Sequence, residues 1–186
     1  MLDKTEGSRS GCYLRATGYC LGRYSLEAIF QQASLVAKPK CKLIDVNWKG
    51  KKMSFVATRE DGHSLTMDAP PSSGGDGEGF TPVELILAGL GGCTGIDIVT
   101  IMQRQRQQIT SVEVKVTGTK RKELPHYFEA IDVHYLVRGR NISESALKRA
   151  IELSEQTYCS VRAIFRPEVK LAYSYEIAQE TTVDKS

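Results

Sequence analysis

The chemistry open to this chain rests first on its thiols. Five cysteines, Cys12, Cys20, Cys41, Cys93 and Cys159, are spread over 186 residues. An odd count without a secretory-type apolar leader does not read as a disulfide framework, and neither a CxxC pair nor a Cys/His cluster has zinc spacing. The thiols are therefore expected to be free, in a reducing, cytoplasmic compartment. No metal and no cofactor is expected. A free thiol is either a small buried apolar group or, once deprotonated, a nucleophile. Cys93 lies about three turns into a helical pattern, too deep for the helix N-terminus to stabilise a thiolate. Asp97, one turn further on, would disfavour the thiolate. Activation of Cys93 would have to come from a cation on another element. Arg59, Arg162, Arg166 and the lysines of the turn Lys49, Lys51, Lys52 are the candidates. His63, His126 and His134 form no metal constellation with the cysteines by spacing; His134 alternates with Asp132 and reads as a strand histidine.

The elements that would hold these groups are punctuated clearly. Thr81, Pro82 and Glu84 stand at N-cap, N1 and N3 of a helix running through ELILAGLGGCTGIDIVTIMQRQRQQ, a capping box with proline where its missing N–H costs nothing. The first half of this helix is apolar nearly all round, so burial is expected. Gly89, Gly91, Gly92 and Gly95 each cost about 1 kcal/mol against alanine in a helix, and close approach of a backbone or room for a ligand would offset that. Before the helix, residues 42–48, 53–58 and 63–68 read as strands, with Asp61-Gly62 supplying the positive φ of a hairpin turn. A loop of Pro, Ser and Gly follows, 69–79; its glycines lack any phosphate-binding pattern, and it reads as a flexible loop placed to lie over the active site. After the helix, 111–120 and 127–137 alternate as strands, with Gly139 as the stop. Asn141 or Ser143 caps a second helix whose apolar face carries Leu147, Ala150, Ile151 and Tyr158, with Cys159 at its C-terminal end. Val169, Leu171, Tyr173 and Tyr175 alternate in a last strand, and the tail from Gln179 looks frayed. Strands and helices are segregated, which predicts an α+β fold.

Composition excludes several classes. A net charge of +3 with no basic block beyond Lys120-Arg121-Lys122 argues against nucleic acid. The apolar stretch Val83–Met102 carries Glu84 and Asp97 and is a poor membrane span. Residues 1–41 differ from the rest: six basic and three acidic residues, weak alternation and one amphipathic segment over 25–37. They read as an N-terminal extension outside the fold, 42–178 as the domain, and 179–186 as a tail.

Two separated segments carry a family resemblance. Thr81-Pro82-Val83-Glu84-Leu85 through Gly91-Gly92-Cys93 resembles the Pro-x-Glu-Leu…Cys helix of OsmC/Ohr proteins. Leu153 through Val161 (LSEQTYCSV) resembles the second cysteine segment of that family, and Ser174-Tyr175-Glu176 matches near the end. GGCTGIDIVTIMQ, VHYLVRGRNI and YCSV are similar to one branch of it in particular. The resemblance implies an intertwined homodimer, with the long helix central and antiparallel sheets wrapping it. It also implies a thiol-dependent peroxidase acting on organic hydroperoxides in oxidative-stress defence. Cys93 would attack the peroxide and become a sulfenic acid, Cys159 would resolve it as a disulfide, and a dithiol reductant would reopen the bond. Glu84, Arg162 and Arg59 are the electrostatic helpers to examine. Peroxidases of the family pair an arginine of the N-terminal hairpin region with a glutamate ten residues before the first cysteine; here Val83 takes the glutamate position and Lys49 to Lys52 the arginine region. That departure keeps open a second reading, a non-catalytic protein holding a small apolar or thiol-bearing ligand at the dimer interface, and a third, a redox sensor.

Overall fold

The computed structural model describes residues 42–180. The expected N-terminal extension, its amphipathic segment, Cys12, Cys20, Cys41 and residues 181–186 lie outside the described residues. Three strands open the fold, β1 (Ile44–Trp48), β2 (Phe55–Arg59) and β3 (Ser64–Met67), paired antiparallel in chain order. The β2–β3 turn uses one positive φ, at Gly62 (+87°), and the Gly62 N–H donates to the Arg59 carbonyl at 2.9 Å. Asp61 stays at negative φ, so the turn needs glycine only where the left-handed conformation falls.

The second sheet holds β4 (Gln108–Lys120), β5 (Phe128–Arg140) and β6 (Lys170–Gln179). β4 and β5 are antiparallel, and β6 lies parallel to β5. Alternation sets its inner face: Val112, Val114 and Val116 of β4 stand opposite Val137, Tyr135 and Val133 of β5, which in turn neighbour Ile177, Tyr175 and Tyr173 of β6. Helices α1 (Pro82–Arg104) and α2 (Glu144–Leu153) cover that face, closing a core around Leu90, Ile98, Met102, Tyr135, Val137 and Leu147. A π-helical turn, Ser154–Tyr158, continues α2 and leads into one short turn, α3 (Ser160–Ala163). The architecture is α+β.

Several boundaries differ from expectation for identifiable reasons. α1 ends at Arg104, not Gln108; Arg106 adopts a positive φ of 57° and Gln108 already pairs with Arg140. β5 runs through Gly139 because the start of β4 passes so close that a Cβ there would lie 2.1 Å from the Gln108 carbonyl oxygen. Gln179 is the last residue of β6, and its side chain exchanges two hydrogen bonds with the Ile142 backbone at 2.9 and 3.1 Å, while the Glu180 N–H reaches the Gly139 carbonyl at 2.7 Å. That segment is therefore tied down. Tyr158 is exposed, because the π turn breaks the 3.6-residue phase that would have aligned it with Leu147 and Ile151. The 69–79 loop is organised around Asp68, a carboxylate 2% exposed that accepts from the N–H groups of Ala69, Asp76 and Glu78 at 2.8, 3.0 and 3.2 Å.

α1 is long and apolar enough to cross a bilayer by length and composition alone. Its Leu90, Thr94, Ile98 and Met102 are instead buried in the protein core. The all-round burial expected for its first half is not met among the described residues, since Ile86 and Ile96 are exposed there. The helix glycines divide the same way. A Cβ on Gly91 or Gly95 would meet β4 valine methyls at 3.1 and 3.3 Å, so these two admit a side-chain layer, not a backbone; Gly89 and Gly92 face open space.

Candidate functional site

The site forms where α1 meets the end of α2. The capping box starts α1 in register: Glu84 N–H donates to Thr81 Oγ1 at 3.3 Å and Thr81 N–H to Glu84 Oε2 at 2.8 Å. Eleven residues past Pro82, Cys93 emerges half-buried, with Asp97 one turn on along the same side. Asp97 is fixed from across the interface, because Ser154, fully buried at the first position of the π turn, donates its hydroxyl to Asp97 Oδ2 at 2.8 Å.

The π turn also places the second thiol. Cys159 leaves helical geometry (φ −71°, ψ 98°) and caps α3, its Sγ accepting the Arg162 N–H at 3.3 Å. Cys159 is 4% exposed. Two thiols 66 residues apart in sequence thereby meet: the Cys93 sulfur, the Cys159 sulfur and an Asp97 carboxylate oxygen all lie within 4.8 Å of one another. Both cysteines are free thiols. Burial pushes the Cys159 thiol up to about 11; the Arg162 N–H offsets part of this, and the neighbouring Cys93 adds to it.

Around Cys159 the core is unusually polar. Tyr135 Oη, Tyr173 Oη and Arg162 Nε are buried and find no hydrogen-bond partner among the described residues. Burial raises Tyr135 far above the ordinary phenol value and pushes Tyr173 up to about 12, with Glu155 adding to the latter and Arg162 opposing it. Tyr135 and Tyr173 alternate with core aliphatics, so their sequence signal was that of sheet residues. Ser154 gave no signal either, since its role depends on a helix that it meets only in three dimensions.

The other expected helpers are distributed elsewhere. Glu84 is engaged by the capping box, whose Thr81 N–H holds its carboxyl below the usual range. It borders a cavity of about 650 Å³ between α1, β4 and the loop, lined also by Phe80, Leu87, Gly92 and Val116. This cavity reaches the residue before Cys93, and the thiol is not part of its wall. Arg59 pairs with Asp61 at 2.6 Å in the β2–β3 turn. Arg166 sits over the Tyr127 ring at 5.4 Å. Lys51 and Lys52 engage Asp76, and Lys49 reaches Thr66 at 3.4 Å. Of the cations named from sequence, Arg162 is the one that touches a site sulfur, through its backbone N–H. His134 sits on β5 with Nδ1 2.9 Å from Ser174 Oγ on β6, a satisfied strand histidine.

A segregated α+β fold with two thiols meeting behind a capped, glycine-rich helix defines a family. Residues 75–174 match the family described as OsmC-like protein, and the chain belongs to that family. Within it the chain is of the YhfA type: it is 37% identical over 125 residues to "Protein YhfA" of Escherichia coli K12, covering 67% of this chain and 90% of that protein. Solved structures share the fold. A hypothetical protein from Aquifex aeolicus superposes with a TM-score of 0.67 at 27% identity, over 76% of this chain and 99% of its own. An organic hydroperoxide resistance protein OsmC from Legionella pneumophila superposes with a TM-score of 0.57 at 15% identity, over 75% of this chain and 99% of its own.

Proposed function

We propose that this chain is a two-cysteine, thiol-dependent peroxidase that reduces organic hydroperoxides in the cytoplasm. The observation that carries the reading is the approach of the Cys93 and Cys159 sulfurs to within 4.8 Å. A disulfide needs them about 2.05 Å apart, a gap that side-chain rotation and a small shift of the π turn would close. Exposure assigns the roles. Cys93 is half-buried and reachable, whereas burial keeps the Cys159 thiol protonated at neutral pH. The Cys93 thiolate attacks the terminal peroxide oxygen, the O–O bond breaks, and the alcohol departs with a proton. The Cys93 sulfenic acid then condenses with Cys159, releasing water, and two electrons from a dithiol reductant restore both thiols. In the cavity beside Gly91 and Gly92, the side chains of Phe80, Leu87, Val114 and Val116 would contact the alkyl group of an organic hydroperoxide. Replacing Cys93 by Ser should abolish consumption of cumene hydroperoxide, and full retention of turnover would reject the reading.

The working unit is proposed to be a homodimer. On the first sheet Ile44, Val46, Trp48, Phe55, Ala57, Leu65 and Met67 share one face by register, and the intervening positions are mostly polar. Among the described residues nothing covers that face: Ile44, Val46 and Trp48 are each at least half exposed. α1 presents a second strip that no described residue covers, Ile86, Gly89, Gly92 and Ile96. A one-faced sheet left open is not stable alone, and a second copy can bury both surfaces. A monomer in sedimentation at micromolar concentration would contradict this.

A non-catalytic OsmC-like binding protein is the second reading. It is favoured by Val83 and the lysine turn standing where family peroxidases carry Glu and Arg, and by Arg59 being paired within its own hairpin. A small apolar or thiol-bearing molecule retained in native mass spectra, without peroxide turnover, would support it.

A further inference from the structure

Cys93, Asp97 and Cys159 form a donor set as well as a redox pair. We propose that the reduced trio binds one thiophilic divalent cation of the zinc type, a second function for the residues that peroxide reduction would use. Two thiolates and a carboxylate suit a d¹⁰ ion that accepts sulfur and oxygen in tetrahedral geometry. Zinc–sulfur bonds of about 2.3 Å and zinc–oxygen bonds of about 2.0–2.2 Å set donors roughly 3.6–3.8 Å apart. The observed donors, within 4.8 Å of one another, need to contract by about 1 Å at most.

The trio is held on more than one side. Cys93 and Asp97 project one turn apart from α1, and Cys159 is pinned as the cap of α3 by the Arg162 N–H. Ser154 donates to Asp97 Oδ2 and leaves Oδ1 for the ion, a hydrogen bond of the kind that orients metal-binding carboxylates. Three potential anions gathered at one place repel one another once ionised, and a divalent cation converts that repulsion into attraction. Binding takes up the ion and releases one proton from each thiol. The fourth coordination position stays open to water or a small ligand. Because the same sulfurs make the disulfide, occupancy and oxidation exclude one another, and a bound ion shields Cys93 from peroxide. A chain inert toward peroxide would still bind the ion, so the two proposals fail separately.

The test uses the full chain with Cys12→Ser, Cys20→Ser and Cys41→Ser, which removes competing thiols. Cadmium titration is followed by sulfur-to-metal charge-transfer absorption, and zinc affinity by competition with a chromophoric chelator while proton release is recorded. One ion per chain, a charge-transfer band and about two protons released are expected. Ser154→Ala should weaken binding about 10–100-fold, and Asp97→Asn and Cys159→Ser more. Protein oxidised beforehand to the Cys93–Cys159 disulfide should bind nothing. Absence of the band, or zinc affinity unchanged in Cys159→Ser or in the oxidised protein, would overturn the proposal.

Discussion

Raising the pH from below 9.0 to about 11 should destabilise the reduced protein through Cys159. Burial is the main cause of its rise from 9.0 to about 11, since the residue is 4% exposed among Tyr135, Tyr173 and the α1–α2 junction. An acid whose folded value lies above its unfolded value keeps its proton in the native state while the unfolded chain releases it. Below pH 9.0 both states are protonated and nothing is lost. Stability then falls as the pH rises, and the loss is complete once the folded thiol ionises near 11. A rise from 9.0 to about 11 corresponds to roughly 3 kcal/mol, an upper bound for one group. Against a usual stability of about 5–15 kcal/mol that is a large share. Urea unfolding, under a phosphine reductant and a chelator, is the assay. The wild type and Cys159→Ser are compared across this range, so that tyrosines and lysines titrating in both cancel in the difference. With a urea slope of about 2 kcal/mol/M, the wild-type midpoint should fall by up to roughly 1.5 M relative to the variant. Parallel curves across the whole range would refute the assignment of a buried, protonated Cys159.

Three further outcomes follow from the same packing. Ser154→Ala removes a charge-assisted hydrogen bond at a buried junction and should cost about 1.5–3 kcal/mol in urea unfolding, with slower disulfide closure after oxidation because Asp97 and the π turn lose their link. Gly139→Ala places a methyl 2.1 Å from the Gln108 carbonyl oxygen and should cost at least about 1–3 kcal/mol, read as a lower melting temperature. Asp68 is raised by burial but held below the usual carboxylate range by the Glu78, Asp76 and Ala69 N–H groups, so its support for the 69–79 loop is present above pH 3.8 and lost as the pH falls further. Exchange protection factors of the Asp76 and Glu78 amides should fall in acid in the wild type and already be low at neutral pH in Asp68→Ala.

Local signals made much of this fold legible. Thr81, Pro82 and Glu84 mark the start of α1 because a capping box is decided within one turn of chain. Strand alternation marks β4, β5 and β6 because a one-sided sheet leaves a period of two in its sequence. The uncovered parts of α1 and of the first sheet were not legible in the same way. An apolar helix reads as buried whether its cover comes from its own chain or from another, and among the described residues nothing covers Ile86 and Ile96. The candidate site was half legible. Cys93 and Cys159 stood out by their motifs, and Asp97 by its i+4 spacing. Their meeting depends on a π turn at Ser154–Tyr158, which no local propensity marks. The same turn exposes Tyr158, which the apolar periodicity of α2 misplaces. Asp97 read from sequence only as a neighbour that would disfavour a thiolate; its hydrogen bond to Ser154 spans 57 residues and is a tertiary fact.

The central claim is tested most directly by mass spectrometry of the reduced protein after a brief pulse of near-stoichiometric cumene hydroperoxide, set beside the same pulse of hydrogen peroxide. The account predicts a Cys93–Cys159 disulfide within seconds, formed faster with the organic peroxide. Thiols that stay reduced, or that oxidise slowly and together with Cys12, Cys20 and Cys41, would contradict it.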